Sequence, residues 1–314
     1  MDEGVALHDK GEFRKAIALY DKILEQDKNF LPALTEKSLS LFSLKKYDDG
    51  FKVCEQAIKT NQSDPGLAPL YVNYAVALDH SGYTDKAIKT FREGLRIFPE
   101  SFQLHFNLGV TYANHAKYAE ALESIQQAAI INPLHPGSQF AIAQINFLQK
   151  RRIESIMAIL RFLELDTHGP RSPSAVLILH ELMNGNISKE GNENIIHTTN
   201  PTDQDDERFR ALELALDLTS LMHIEKNSGM TQAEQLTKQL NSLFILMKEG
   251  KKGTNFYWRY YVPYFTEMES KSFTPIIANL IYLTENDTDW VRKNQEQIEK
   301  YLAWSEKFQW YNGK

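Results

Sequence analysis

Residues 105–128 read HFNLGVTYANHAKYAEALESIQQA, and the order of small and bulky side chains in this stretch decides the fold. Leu108, Gly109 and Tyr112 share one helical face, and after a break at Ala116 the series Tyr118, Ala121, Ile125 and Ala128 makes a second. The same register of small, aromatic, small and aromatic positions recurs at Gly11–Phe13–Ala16–Tyr20, Lys45–Tyr47–Gly50–Cys54 and Gly82–Thr84–Ala87–Phe91, with a weaker copy at Lys150–Ser155–Ile159. The copies lie 34, 37, 34 and 34 residues apart, the period of stacked helix–turn–helix units. Pro99 and Pro133 close second helices, because proline has no N–H to continue them. In the second unit Gln62 stands at that place, followed by Asp64–Pro65 and a short insertion that accounts for the longer spacing. Ala16, Ala75, Ala87, Gly109 and Ala121 fall where a larger side chain would hold two helices apart. Tyr20, Tyr74, Phe91, Leu108 and Tyr112 recur at helical spacing and are assigned to the core between them.

The pattern resembles the tetratricopeptide-repeat family, whose Trp, Leu, Gly, Tyr, Gly, Tyr, Ala, Tyr, Ala and Pro are matched by His105, Leu108, Gly109, Tyr112, Ala116, Tyr118, Ala121, Ile125, Ala128 and Pro133. The resemblance covers residues 1–168, with four clear units and a degenerate fifth in which Arg151–Arg152 and Ser155 replace the usual residues. It implies an all-α fold, a right-handed superhelix over 1–168 followed by a C-terminal helical cap or bundle over 169–314. It also implies a concave groove, built from the first helix of each unit, that takes an extended peptide or a partner helix. Carried over by position, the lining is Leu39 and Phe42 from the second unit and Val72, Asn73, Val76 and His80 from the third. The fourth adds Phe106, Asn107, Val110 and Asn114, and the fifth adds Phe140 and Gln144. Family members that grip the C-terminal carboxylate of heat-shock chaperones set Lys and Arg around such asparagines, since a buried carboxylate needs charge-assisted donors. Asn73 and Asn107 have none beside them, so that clamp is not expected. The mixed apolar and amide lining suits an apolar or aromatic peptide; the chain's own C-terminal half is the alternative occupant.

The segment Thr167–Pro173 breaks the periodicity and reads as a linker. Beyond it, helices are expected near 174–184, 207–226, 231–249, 254–268, 273–284 and 287–308, around a polar loop at 185–205. The acidic run Asp203, Asp205, Asp206 and Glu207 precedes one of these helices and suits its N-terminus. From Phe256 to Phe265 rings fall on every side of one helix, as in a buried helix, with a partner groove or a small-molecule site as the other readings. The order of Trp258, Pro263, Phe265, Trp290 and Asn294 is similar to that in uncharacterised repeat-containing proteins of Bacteroidetes-type bacteria.

A chain of 314 residues exceeds what one core of about 250–300 residues holds, so two structural parts are expected. The net charge of −6 argues against nucleic acid as a partner, which needs a concentrated cationic face. The short basic clusters Lys150–Arg151–Arg152 and Lys248 with Lys251–Lys252 read as solvated helix ends. Cys54 is the only cysteine, which excludes an internal disulfide and a cysteine metal site; it holds an aromatic slot of the repeat and is expected to be buried. No apolar run of 18 residues occurs, so membrane insertion is not expected. Met1–Asp2–Glu3 lacks the features of a signal peptide, which reads as cytoplasmic; the opening of the first repeat in mid-helix keeps a trimmed export signal and a periplasmic address open.

His180–Glu181 opens like a zinc-protease helix, but residue 184 is Asn. Phosphate loops, dinucleotide fingerprints and nucleophile elbows are lacking too, so no catalytic residue, metal or cofactor is expected. The chain reads as a non-catalytic scaffold for a protein or peptide. The rival reading makes the C-terminal half an enzyme or small-ligand-binding domain, with the repeats recruiting its substrate.

Overall fold

The computed structural model describes residues 1–61, 64–184, 187–190, 193–196, 207–225, 229–250, 252–283 and 288–313. Among the described residues the fold is all-α apart from one short hairpin, and the chain packs as two compact units, Met1–Asn132 and Pro133–Lys314.

The first unit is four helical hairpins: α1 (Asp2–Asp9) with α2 (Phe13–Gln26), α3 (Leu31–Ser43) with α4 (Tyr47–Thr60), α5 (Leu67–His80) with α6 (Thr84–Ile97), and α7 (Phe102–Asn114) with α8 (Tyr118–Ile131). Each turns on a residue in left-handed backbone: Gly11 (φ 76°), Lys45 (59°), Gly82 (82°) and Ala116 (56°). At Gly82 the N–H donates to the Asp79 carbonyl, and that of Tyr83 to the Leu78 carbonyl; the other three turns repeat this pattern. These bonds satisfy carbonyls left open at the end of the first helix. The small slot of the repeat is therefore a backbone requirement, which glycine meets freely and Lys45 and Ala116 meet at a cost of about 1 kcal/mol.

Within the hairpins the helices touch through the expected small residues. Ala16, Ala75, Ala87 and Ala121 are fully buried, and a Cβ added to Gly109 would meet Ile125 Cγ1 at 2.3 Å and the Ala121 carbonyl oxygen at 3.0 Å. Tyr20, Phe91, Leu108 and Tyr112 fill the core as read. Tyr74 does not. The buried face of α5 runs through Leu67, Leu70, Tyr71, Ala75 and Leu78, so Tyr71 takes the core place. Tyr74 stands half-buried outside that face, its hydroxyl donating to Glu55 at 2.7 Å.

Cys54 is fully enclosed, and burial pushes its thiol up to about 12. A thiolate is the reactive form, so the native protein should resist a chromogenic disulfide reagent at pH near 8 and become labelled only on unfolding. Rapid stoichiometric labelling of the folded chain would contradict this placement.

The second unit opens with α9 (Pro136–Leu148) and α10 (Arg152–Leu165), which repeat the same turn at Lys150 (φ 59°). The sequence places the domain boundary after residue 168, where the repeats fade; packing instead divides the chain at Asn132. The cause lies in α10, which is buried from Arg152 through Leu163 as α11 (Ser172–Asn184), α12 (Glu207–Glu225) and α16 (Thr274–Tyr282) enclose it. Arg152 is accordingly no solvated helix end. Its guanidinium is paired with Asp217 at 2.5 Å and donates to the carbonyls of Leu182 and Met183.

The remaining elements are β1 (Ile187–Glu190), β2 (Glu193–Ile196), α13 (Gln232–Glu249), α14 (Phe256–Tyr260), α15 (Val262–Ser270) and α17 (Thr288–Lys307). The two strands pair antiparallel, Ile187 opposite Ile196, inside the segment read as a polar loop. Asp203, Asp205 and Asp206 of the acidic run lie outside the described residues. The expected helix at 254–268 divides into α14 and α15 at Tyr261, where Pro263 in the first turn of α15 supplies no N–H. A sixth copy of the left-handed turn joins α15 to α16 at Ser272 (φ 60°). The small–aromatic register does not reveal it, because Thr274 and Ile277 occupy its aromatic and small positions. Tyr257, Trp258, Tyr260, Tyr261, Tyr264 and Phe265 are buried, so the aromatic run is core.

Candidate partner-binding surface

The first helices α3, α5 and α7 bury one face and leave another half open. On α7 the buried face is Leu104, Leu108, Thr111 and Tyr112, so Phe106, Asn107 and Val110 stand beside it, half-buried. Val72, Asn73 and Val76 hold the matching places on α5, and Leu39 on α3. His80 and Asn114 are exposed at the C-terminal ends of their helices. Val72 and Asn73, with Ala68 and Pro69, line a recess of about 300 Å³ closed by Ser101 and Gln103. The Asn107 side chain donates to the Gln103 carbonyl at 2.8 Å, which commits one of its amide hydrogens to its own helix.

Two residues read as lining are committed elsewhere. The Phe42 ring fills the space over Gly50, where an added Cβ would lie 2.2 Å from it, and packs with Tyr47 and Phe51. Phe140 is buried with its ring centroid 4.8 Å from that of Phe162 on the paired helix α10, and Arg171 lies over it. Both aromatics serve their own hairpins. Gln144 is exposed on α9 of the second unit. The other amides of α9 are enclosed: Gln139 donates to Tyr260 (3.1 Å) and accepts from Tyr261, while Asn146 exchanges hydrogen bonds with Tyr257 at 2.8 and 3.0 Å.

The densest polar chemistry lies deep in the second unit. Arg161 is paired with Glu164 at 3.0 Å, both side chains being nearly inaccessible, and its guanidinium lies over the rings of Trp310 (4.7 Å) and Tyr264 (5.1 Å). Glu164 also accepts from Tyr301 (2.7 Å) and Tyr264 (3.2 Å). Burial raises the Glu164 carboxyl above the usual range, opposed by the neighbouring arginine, and it raises the Tyr264 and Tyr301 hydroxyls as well. Through this ion pair and these hydrogen bonds Glu164 ties α10 to Tyr264 of α15 and Tyr301 of α17. Among the described residues no group of three or more His, Cys, Asp or Glu side chains gathers to hold a metal ion. Among them too, no helix is long and apolar enough to cross a membrane.

The hairpins of the first unit, their shared turn and their half-open first helices can now be set beside known proteins. The tetratricopeptide repeat family model matches residues 75–139, which run from within α5 through α8 into the start of α9. The chain contains tetratricopeptide repeats. A solved structure of pilF from Pseudomonas aeruginosa superposes with a TM-score of 0.50 at 17% identity, covering 58% of this chain and 80% of that one, which is a likeness of fold. Among curated proteins, the Drosophila melanogaster protein O-mannosyl-transferase Tmtc3 is 34% identical over 74 residues, 23% of this chain and 8% of that protein. The human protein O-mannosyl-transferase TMTC3 is 28% identical over 96 residues, 30% of this chain and 10% of that protein. The matched stretch spans about a tenth of the length of these curated relatives or less, and the transferase activity in their names is theirs. With these repeats the chain is, in general terms, a scaffold for protein interaction.

Proposed function

We propose that this tetratricopeptide-repeat protein is a non-catalytic scaffold that holds an extended apolar peptide, or one face of a partner helix, along α5 and α7. The observation that carries the reading is the run of half-open apolar side chains Val72, Val76, Phe106 and Val110, interleaved with Asn73 and Asn107 beside the recess at Ser101–Gln103. Apolar side chains of a ligand gain by leaving water there, while the amides fix the register of its backbone. Leu39 extends the surface onto α3, and His80 and Asn114 mark its polar edge. Phe42, Phe140 and Gln144 are left out of it. The absence of a catalytic role is part of the same proposal, since the buried Arg161–Glu164 cluster is inaccessible to a substrate.

The test is selection of peptides from a random display library against the full chain, followed by fluorescence polarisation. Peptides that occupy this surface should lose at least about a hundredfold in affinity when Phe106→Asp and Val110→Asp are combined, because two carboxylates would then sit where apolar side chains must dock. The helical circular-dichroism spectrum should be kept, both positions being partly exposed. Equal binding to the parent and the double variant would move the peptide site elsewhere.

A further inference from the structure

The first unit carries a second cleft, of different character. Between α4, α5 and α6 lies an open cavity of about 830 Å³. Its floor is apolar and aromatic: Tyr71 and Leu78 are buried, and Tyr74 is held in place by its hydrogen bond to Glu55. Its walls are cationic. Lys59 comes from α4, and Lys86, Lys89 and Arg96 come from α6, all four exposed.

The sequence of α6 explains the sorting. Ala87, Ile88, Phe91 and Gly94 turn into the core, which leaves Lys86, Lys89 and Arg96, three and seven residues apart, on the outer side. Against four cations the cleft sets two carboxylates, Glu55 and Glu93. Glu55 is engaged by the Tyr74 hydroxyl, and Glu93 lies 3.9 Å from Lys89 with both side chains mostly in water, a separation that neutralises little. The cleft is thus a net positive site on a chain whose net charge is −6.

We infer that this cleft between α4, α5 and α6 is a second docking surface, sharing no residue with the proposed peptide surface of α5 and α7, for an acidic segment carrying an apolar or aromatic anchor. The anchor rests on Tyr71, Tyr74 and Leu78. Flanking carboxylates of the partner accept charge-assisted hydrogen bonds from Lys59, Lys89 and Arg96, whose long stems border the apolar floor. A basic segment of the same shape meets like charge and is rejected.

The probe is a short fluorescent peptide in which Asp and Glu flank a single Phe, compared with its counterpart in which Lys and Arg flank the Phe. On the full chain the acidic probe should bind saturably, weaken as salt rises from about 50 to about 300 mM, and lose at least about tenfold in affinity with Lys89→Glu and Arg96→Glu combined. The exposed positions of both residues keep the fold out of the result. The Phe106→Asp, Val110→Asp variant should bind the probe as the parent does, so this inference and the proposed α5–α7 surface can fail independently. Any one of four results overturns it: no saturable binding of the acidic probe, equal binding of the basic one, unchanged affinity in the α6 variant, or loss confined to the Phe106/Val110 variant.

Discussion

Replacing Arg161 by alanine is expected to destabilise the second unit by about 3–5 kcal/mol, the cost of leaving a buried partner charge without its counter-ion. Glu164 would keep the hydroxyls of Tyr264 and Tyr301 but lose the cation at 3.0 Å, and the rings of Trp310 and Tyr264 would lose the guanidinium packed over them. The carboxyl, already raised above its ordinary value of 4.5 by burial, would rise further. A folded-state pKa above the unfolded value favours folding in full below the unfolded value, and that contribution is lost as pH climbs through the folded one. The deficit of Arg161→Ala should therefore be largest at neutral pH and shrink toward pH 4.5 and below, as read by denaturant melts across that range. Removing both charges, as Arg161→Met with Glu164→Leu, should restore part of the loss, because apolar side chains of similar volume need no counter-charge while the buried Tyr301 hydroxyl loses its acceptor. A single variant that loses under about 1 kcal/mol, or a double variant as unstable as the single, would show that the pair does not hold this core together.

Gly109→Val should cost about 3 kcal/mol by prising α7 from α8. The added Cβ meets Ile125 Cγ1 at 2.3 Å, which that side chain relieves only by leaving its buried site, and the Ala121 carbonyl oxygen at 3.0 Å, which belongs to the backbone of a helix and cannot rotate away. Gly109→Ala should cost less, since alanine recovers about 1 kcal/mol of helix propensity against the same contact. Thermal melts of the two variants, alone and combined with Ile125→Ala, give the coupling directly: the alanine at 125 should suppress part of the penalty, so that the effects are not additive. Additive losses would mean that the two helices do not meet at this glycine.

The repeat was legible because everything it requires is local. A helical hairpin needs an apolar face on each helix, small residues at the crossing and a turn residue in left-handed backbone, and all of these fall within one unit of the chain. Gly11, Lys45, Gly82, Ala116 and Lys150 could therefore be placed by spacing, and each sits at φ between 56° and 82°. The same local logic located the helices of the second half, though not the turn at Ser272, where the residues around it depart from the pattern.

What spacing alone could not decide was which side of a helix its neighbours would cover. Phe42 and Phe140 sit at lining positions of the repeat, yet one ring closes over Gly50 and the other over Phe162. Tyr74 has the spacing of a core residue yet borders a cationic cleft, and Arg152 has the place of a solvated helix end yet is buried against Asp217. The fifth hairpin keeps the geometry of a repeat while belonging to the second unit. The hairpins and their turns could be read from the order of residues, because they follow from contacts a few turns apart. Which surfaces stay open depends on packing across the chain, because residues as distant as Gln139 and Tyr260, 121 positions apart, must meet before a face is buried or left in water.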